Sequence, residues 1–174
     1  MMKARALRIL IVDDHAIVRE GLVRILEGTG HGWQIAEATS GFQALEWLRR
    51  NDAGLAIVDL SMPGMSGLDL IGRLRKEFPR LRVLVLSMHA EEQYALRAFQ
   101  AGAHGYVTKD RAPAELVDAV DKVAGGGAYV TASLAEQVVQ LRLLALLPEV
   151  QEALAAPPRP LVPADTRPIE QAWA

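Results

Sequence analysis

The sequence predicts an α/β fold in which a doubly wound parallel sheet of five strands is covered by helices on both faces. Three observations predict it. Apolar segments at 7–12, 33–38, 55–58, 81–86 and 104–107 alternate with five stretches whose apolar residues recur at helical spacing. Three of those segments, 7–12, 55–58 and 81–86, are apolar nearly throughout, the pattern of strands buried on both faces rather than one. Each strand is followed by a helix, and successive strand–helix pairs give a parallel sheet with right-handed crossovers.

Each element has its own justification. Residues 7–12 contain Ile9, Ile11 and Val12 and stop abruptly at Asp13-Asp14. From 16 to 27, Ile17, Val18, Leu22, Ile25 and Leu26 repeat with helical period, and Gly28 and Gly30 end the helix. Residues 33–38 form a weaker strand. Ser40-Gly-Phe-Gln43 has the form of a capping box for a helix with Ala44, Leu45 and Leu48 inward. The third strand, 55–58, ends on a single carboxylate, Asp59, before a turn with Pro63, Gly64 and Gly67. A helix over 66–78 carries Leu68, Leu70, Ile71 and Leu74 and stops before Pro79. The fourth strand, 81–86, ends on Ser87-Met-His89, and a helix over 91–101 closes at Gly102. The fifth, 104–107, ends on Thr108-Lys109-Asp110, after which Pro113 suits a first helical turn. Leu116, Val117, Val120 and Val123 form the inward face of that last helix, and Gly125-Gly-Gly127 ends it.

Composition narrows the class. The 174 residues suit one ordinary domain with a remainder. A formal net charge of −2 supplies no broad basic field for nucleic acid. No apolar run approaches the length that spans a membrane, and the amino terminus has no signal-peptide core. Cysteine is absent, which excludes disulfides and thiolate metal sites. A cytoplasmic protein is expected.

The flavodoxin-like strand order 2-1-3-4-5 is one of the few topologies left. It brings the ends of strands one, three, four and five together, and ligands of open α/β sheets bind outside the carboxyl ends of the strands. The polar residues gathered there are Asp13, Asp14, Asp59, Ser87 and Lys109. Alone, Asp59 reads equally as a turn cap, Lys109 as a solvated loop lysine and Ser87 as a strand-end cap. Together they mean more. Three carboxylates at one edge repel unless a cation joins them, and all-oxygen ligation is what Mg²⁺ prefers. An ammonium, a hydroxyl and Mg²⁺ are parts that stabilise a transferring phosphoryl group. Asp13 and Asp14, side by side, suit the metal. Asp59, alone on the central strand, is left to act as the carboxylate nucleophile. Met62 and Met65 are expected to pack, Gly64 and Gly67 to serve the turn, and His15, His89 and His104 to be surface or supporting residues rather than ligands.

The pattern Asp13-Asp14, Asp59, Met62-Pro63-Gly64, Gly67, Ser87, Tyr106 and Lys109 resembles the receiver domain of two-component response regulators, over roughly residues 7–127. Asp-Asp-His at 13–15, Ser-Met-His at 87–89 and Ala-Gly-Ala-His-Gly-Tyr-Val-Thr-Lys at 101–109 resemble the LuxR-type regulators within it. The resemblance implies that Asp59 takes phosphate from a sensor histidine kinase. It implies Mg²⁺ on Asp14 directly, on Asp13 through water, and on Asp59 and the backbone carbonyl of Ser61. Ser87 would move toward the phosphoryl group and Tyr106 would turn inward behind it. An aspartyl-nucleophile phosphohydrolase is the competing enzyme class, but that class places its nucleophile as Asp-x-Asp after the first strand.

The division expected is a receiver domain at 5–127, a linker-like helical extension at 128–156 and a proline-rich, disordered tail at 157–174. Ser133-Leu-Ala-Glu136 reads as a capping box, with Leu134, Val138, Leu141 and Ala145 on one stripe that folds back on the receiver or pairs with another copy. LuxR-type regulators carry a DNA-binding domain after the receiver. The segment 148–174 has Glu149, Glu152, Asp165 and Glu170 against Arg159 and Arg167, which makes it a poor candidate for a DNA-reading helix. Control through protein contacts or dimerisation is the first expectation. A transcription factor whose output domain is truncated or replaced is the alternative.

Overall fold

The computed structural model describes residues 5–132 and 134–137. Their order is β1 (Arg8–Val12), α1 (Ala16–Glu27), β2 (Gln34–Ala38), α2 (Gly41–Arg50), β3 (Leu55–Asp59), α3 (Gly67–Glu77), β4 (Arg82–Ser87), α4 (Glu92–Ala101), β5 (Gly105–Thr108), α5 (Ala112–Ala124) and β6 (Tyr129–Val130). A single 3-10 turn at Lys109–Arg111 leads into α5. All neighbouring strands pair parallel, in the order β2-β1-β3-β4-β5-β6. The expected 2-1-3-4-5 order holds, and a sixth strand of two residues lengthens the sheet beyond β5. Its brevity explains why periodicity missed it: two residues carry no period.

Burial on both faces sets the layers. Along β1, Leu10 and Val12 join the core on one side, while Ile9 and Ile11 join the core on the other. Ala56 and Val58 against Leu55 and Ile57 in β3, and Val83 and Val85 against Leu84 and Leu86 in β4, repeat the alternation. Successive side chains of a strand point to opposite faces, so an all-apolar strand needs two covers. Leu45 and Leu48 of α2, Leu70, Ile71 and Leu74 of α3, and Ala95 and Ala98 of α4 cover the first face. Val18, Leu22 and Leu26 of α1 and Leu116, Ala119, Val120 and Val123 of α5 cover the second. Each fully buried Leu or Ile stabilises the fold by roughly 1.5–3 kcal/mol, and this burial holds the strand ends in place.

Local signals are met with two adjustments. Ser40 caps α2 by accepting from the Gln43 N–H at 3.1 Å, but Gln43 Oε1 reaches Thr39, one residue before the cap, instead of closing the box on Ser40. Ile17 belongs to the helical pattern of α1 yet is 67% exposed. The buried set Val18, Leu22 and Leu26 follows i, i+4 spacing, and Ile17 lies one step round the helix from it. Ser133, the stripe residues Val138, Leu141 and Ala145, and the tail at 157–174 lie outside the described residues. Leu134 is described: it is buried in the core of the first face, so the stripe begins folded back on the sheet domain.

Candidate functional site

Strand ends build the site. β1 and β3 are register neighbours, Val12 opposite Val58, so Asp13 and Asp59 leave adjacent strands at the same level. Both carboxylates are buried, at 2% exposure each. Lys109 follows β5, and its Nζ lies 3.3 Å from Asp13 Oδ2 and 3.3 Å from Asp59 Oδ1. Asp14 completes the acidic pair. One ligand atom from each of Asp13, Asp14, His15 and Asp59 falls within 4.8 Å of every other.

The turn after β3 depends on two glycines for different reasons. Gly64 has φ +79°, a conformation that a side chain strains. Gly67 is required by space rather than by φ, because a Cβ there would lie 2.5 Å from the Asp59 carbonyl oxygen and from Leu60 Cα. Its N–H donates to the Leu60 carbonyl at 3.1 Å, bringing the start of α3 against the end of β3. Met62 and Met65 pack, as expected, at 2% and 5% exposure.

The electrostatics are those of an incomplete site. Burial pushes the Asp59 carboxyl up to about 6; Lys109 opposes this, Asp13 adds to it, and the Ser61 N–H donating at 3.2 Å opposes it again. Among the described residues, the buried oxygens Asp59 Oδ2 and Asp14 Oδ1 have no hydrogen-bond partner. Orphaned buried carboxylate oxygens within reach of one another are what a hard divalent cation satisfies. The residues therefore fit Mg²⁺: Asp13, Asp14 and Asp59 as oxygen donors, with Lys109 already supplying one positive charge.

Ser87 ends β4 one residue beyond Leu86, which is the register partner of Asp59, and its Oγ accepts the His89 N–H at 3.0 Å. Tyr106 is fully buried, and its hydroxyl donates to the His89 carbonyl at 2.7 Å. Burial raises its pKa, with a hydrogen bond from Ser87 opposing. His89 stacks on Tyr94, and His104 is a structural acceptor at the far end of the strands; neither touches the carboxylates.

Of two supporting residues, the sequence offered one and missed the other. His15, expected as a surface or supporting residue rather than a ligand, has its Nδ1 3.1 Å from Asp13 Oδ1 and 3.3 Å from Asp14 Oδ1, while its N–H donates to Asp13 Oδ1 at 2.9 Å. Arg19 donates from Nη1 to the Asp13 carbonyl at 2.6 Å and from Nε to Glu37 Oε1 of β2 at 3.2 Å. The first signal was adjacency to the acidic pair. The second was one helical turn from it, indistinguishable from any surface arginine.

A buried carboxylate, an acidic pair and a lysine at the edge of such a sheet are parts that can hold a hard cation and stabilise a transferring phosphoryl group. The family model of the response regulator receiver domain matches residues 9–121, and the chain belongs to that family. The transcriptional activator protein ExaE of Pseudomonas putida is 42% identical over 130 residues, covering 75% of this chain and 61% of ExaE. A solved two-component response regulator of the LuxR family from Aurantimonas sp. SI85-9A1 is 36% identical with a TM-score of 0.73, covering 80% of this chain and 99% of that one. The isolated receiver domain of RcsB from Salmonella enterica serovar Typhimurium, solved with phosphomimetic BeF3-, is 28% identical with a TM-score of 0.70, covering 76% and 98%. A second RcsB structure, described as two dimers bound to two parallel DNAs, has 27% identity and a TM-score of 0.71, covering 82% and 78%. The chain is thus a receiver of the two-component type related to LuxR-type regulators, a family whose general chemistry is Mg²⁺-dependent phosphoryl acceptance on aspartate.

Proposed function

We propose that Asp59 is the phosphoacceptor and that a sensor histidine kinase is the donor. One observation carries the assignment. Asp59 is buried, its Oδ1 is held by Lys109 and the Ser61 N–H, and its Oδ2 has no partner among the described residues. A carboxylate whose pKa is raised to about 6 is ionised at neutral pH yet more basic, and so more nucleophilic, than a free aspartate. Its oxygen forms a bond to phosphorus as the P–N bond of a phosphohistidine breaks, and the departing imidazole takes a proton. Lys109 neutralises one phosphoryl oxygen, and the Ser87 hydroxyl, released from His89, hydrogen-bonds another. Asp13, Asp14, Asp59 and the Ser61 carbonyl would hold Mg²⁺, which would supply positive charge against the transferring group. Arg19 and His15 keep Asp13 in place.

The chain acts in this reading as a cytoplasmic signalling phosphoacceptor, with chemistry limited to phosphotransfer onto Asp59 and hydrolysis from it. Because the chain spans 61% of ExaE, transcriptional activation is not carried over from that relative. The output we propose is control of protein contacts or of self-association, supported by the dimers described for RcsB. The receiver corresponds to about 5–127, with the segment from 128 as its linker.

Incubation with Mg²⁺ and a small-molecule phosphodonor, followed by intact mass, is expected to add one phosphoryl group to the wild type and none to Asp59→Asn. An unmodified wild type, or an equally modified Asp59→Asn, overturns the assignment.

A further inference from the structure

The strand that carries Tyr106 and delivers Lys109 is held along its outer edge by a segment to which no role has been given. β6 begins the contact, with the Tyr129 N–H donating to the His104 carbonyl at 3.1 Å. The Tyr129 hydroxyl donates to Glu115 Oε1 of α5 at 2.7 Å and fixes that end of the strand. Thr131 continues it. Its N–H donates to the Tyr106 carbonyl at 3.1 Å, and its Oγ1 accepts the Thr108 N–H at 3.3 Å. The Thr131 carbonyl accepts from the N–H groups of Leu134 and Ala135 at 2.8 and 3.2 Å, so this residue also opens the helix that follows.

Burial makes these bonds matter. Thr131 is 1% exposed, and Thr108 and Lys109 are 3% exposed, so water does not replace a lost partner at the Thr108 N–H. Leu134, at 2%, lies in the same core cluster as Tyr106. The three polar groups of Thr131 therefore join the residue before Lys109, the backbone of Tyr106 and the first helical turn after β6 into one hydrogen-bonded unit. A shift of the β5 end cannot leave that turn unaffected without breaking a buried bond.

We propose that Thr131 is a positioning residue that couples phosphorylation at Asp59 to the helix opening at 132. Its hydroxyl sets the end of β5, and its carbonyl sets the helix. The proposal rests on the reading of Asp59 as phosphoacceptor. Coupling between two sites is reciprocal, so a loosened clasp alters the phosphorylated state as well as the helix.

Hydrogen exchange of the full chain, with Mg²⁺ and with or without beryllofluoride as phosphoryl mimic, tests it. In the wild type, exchange of the amides at 134–137 is expected to change at least fivefold on beryllofluoride binding. In Thr131→Val the change falls below twofold and the lifetime of the phosphorylated form shifts at least threefold; Thr131→Ser restores both. Circular dichroism checks folding, and if Thr131→Val does not fold, Leu134→Ala carries the same expectation. A fivefold response that persists in a folded Thr131→Val or Leu134→Ala, or a wild type that binds beryllofluoride without response at 134–137, overturns the coupling. A wild type that neither binds beryllofluoride nor accepts a phosphoryl group overturns the phosphoacceptor reading itself, and the coupling with it.

Discussion

The two edges of one sheet are built on opposite principles. At the amino-terminal edge, half-buried polar side chains find partners. Arg82 donates to the carbonyls of Val123 and Gly127 at 3.0 and 2.7 Å, closing the end of α5. Arg75 donates to the carbonyls of Pro79 and Leu81. The Val83 N–H donates to His104 Nδ1 at 3.0 Å. At the carboxyl-terminal edge, Asp13 and Asp59 share one ammonium, two buried carboxylate oxygens lack hydrogen-bond partners among the described residues, and Ile17 lies exposed in the first turn of α1. One edge spends its polar groups on the fold. The other withholds them for a ligand, at a cost in stability that the apolar layers offset.

The largest break in this contrast comes from Lys109. Lys109→Met leaves Asp13 and Asp59 facing each other with no cation, and unpairing a buried charge costs on the order of 3–5 kcal/mol. Urea unfolding at pH 7 without divalent ions is expected to show that loss, and added Mg²⁺ is expected to recover part of it. An unchanged midpoint would mean that the ammonium is not what balances the pair.

Asp59→Asn is expected to act in the opposite direction. The folded pKa of about 6 lies above the ordinary 3.8, so the unfolded chain loses its proton first as pH rises, and stability falls between about pH 3.8 and 6. The variant removes this penalty. In the absence of divalent ions it should be more stable than wild type by about 3 kcal/mol above pH 6, at about 1.4 kcal/mol per pH unit, and no more stable below pH 4. Thermal melts across that range would show a widening difference; a constant one would sink the account.

His104 tests the satisfied edge. Burial, with Arg82 and Arg75 adding, lowers its pKa to about 4. The unfolded chain therefore takes up the proton first as pH falls, and stability is lost between about 6.5 and 4. His104→Ala orphans the Val83 N–H and should cost about 1–2 kcal/mol at pH 7 while flattening the acid dependence over that window. Phosphoryl acceptance at neutral pH should stay within twofold of wild type, because His104 makes no contact with the carboxylates. A tenfold fall in that rate would mean that the two edges are not separate.

Legibility in the sequence followed locality. Asp13, Asp14, Asp59, Ser87 and Lys109 each end an apolar run, so their placement follows once the strands are read, and the parallel order brings them to one edge. Arg19 escaped because its contacts depend on side-chain direction, which spacing does not report. Tyr106 was legible as a residue but not in its burial or its hydrogen bond to the His89 carbonyl, which depend on neighbours distant in the chain.

What the sequence determined by itself is the alternation of buried strands and amphipathic helices, and with it the fold class and the identity of the acidic edge. These follow from hydrophobic periodicity and from charge at strand ends, properties of contiguous residues. The tertiary structure decided the rest: that one ammonium bridges two carboxylates from adjacent strands, that Gly67 is demanded by the backbone of Asp59 and Leu60, and that Thr131 closes the edge of β5. Each of those joins residues far apart in the chain or depends on ångström-scale space. Neither a period nor a motif carries that information; packing does.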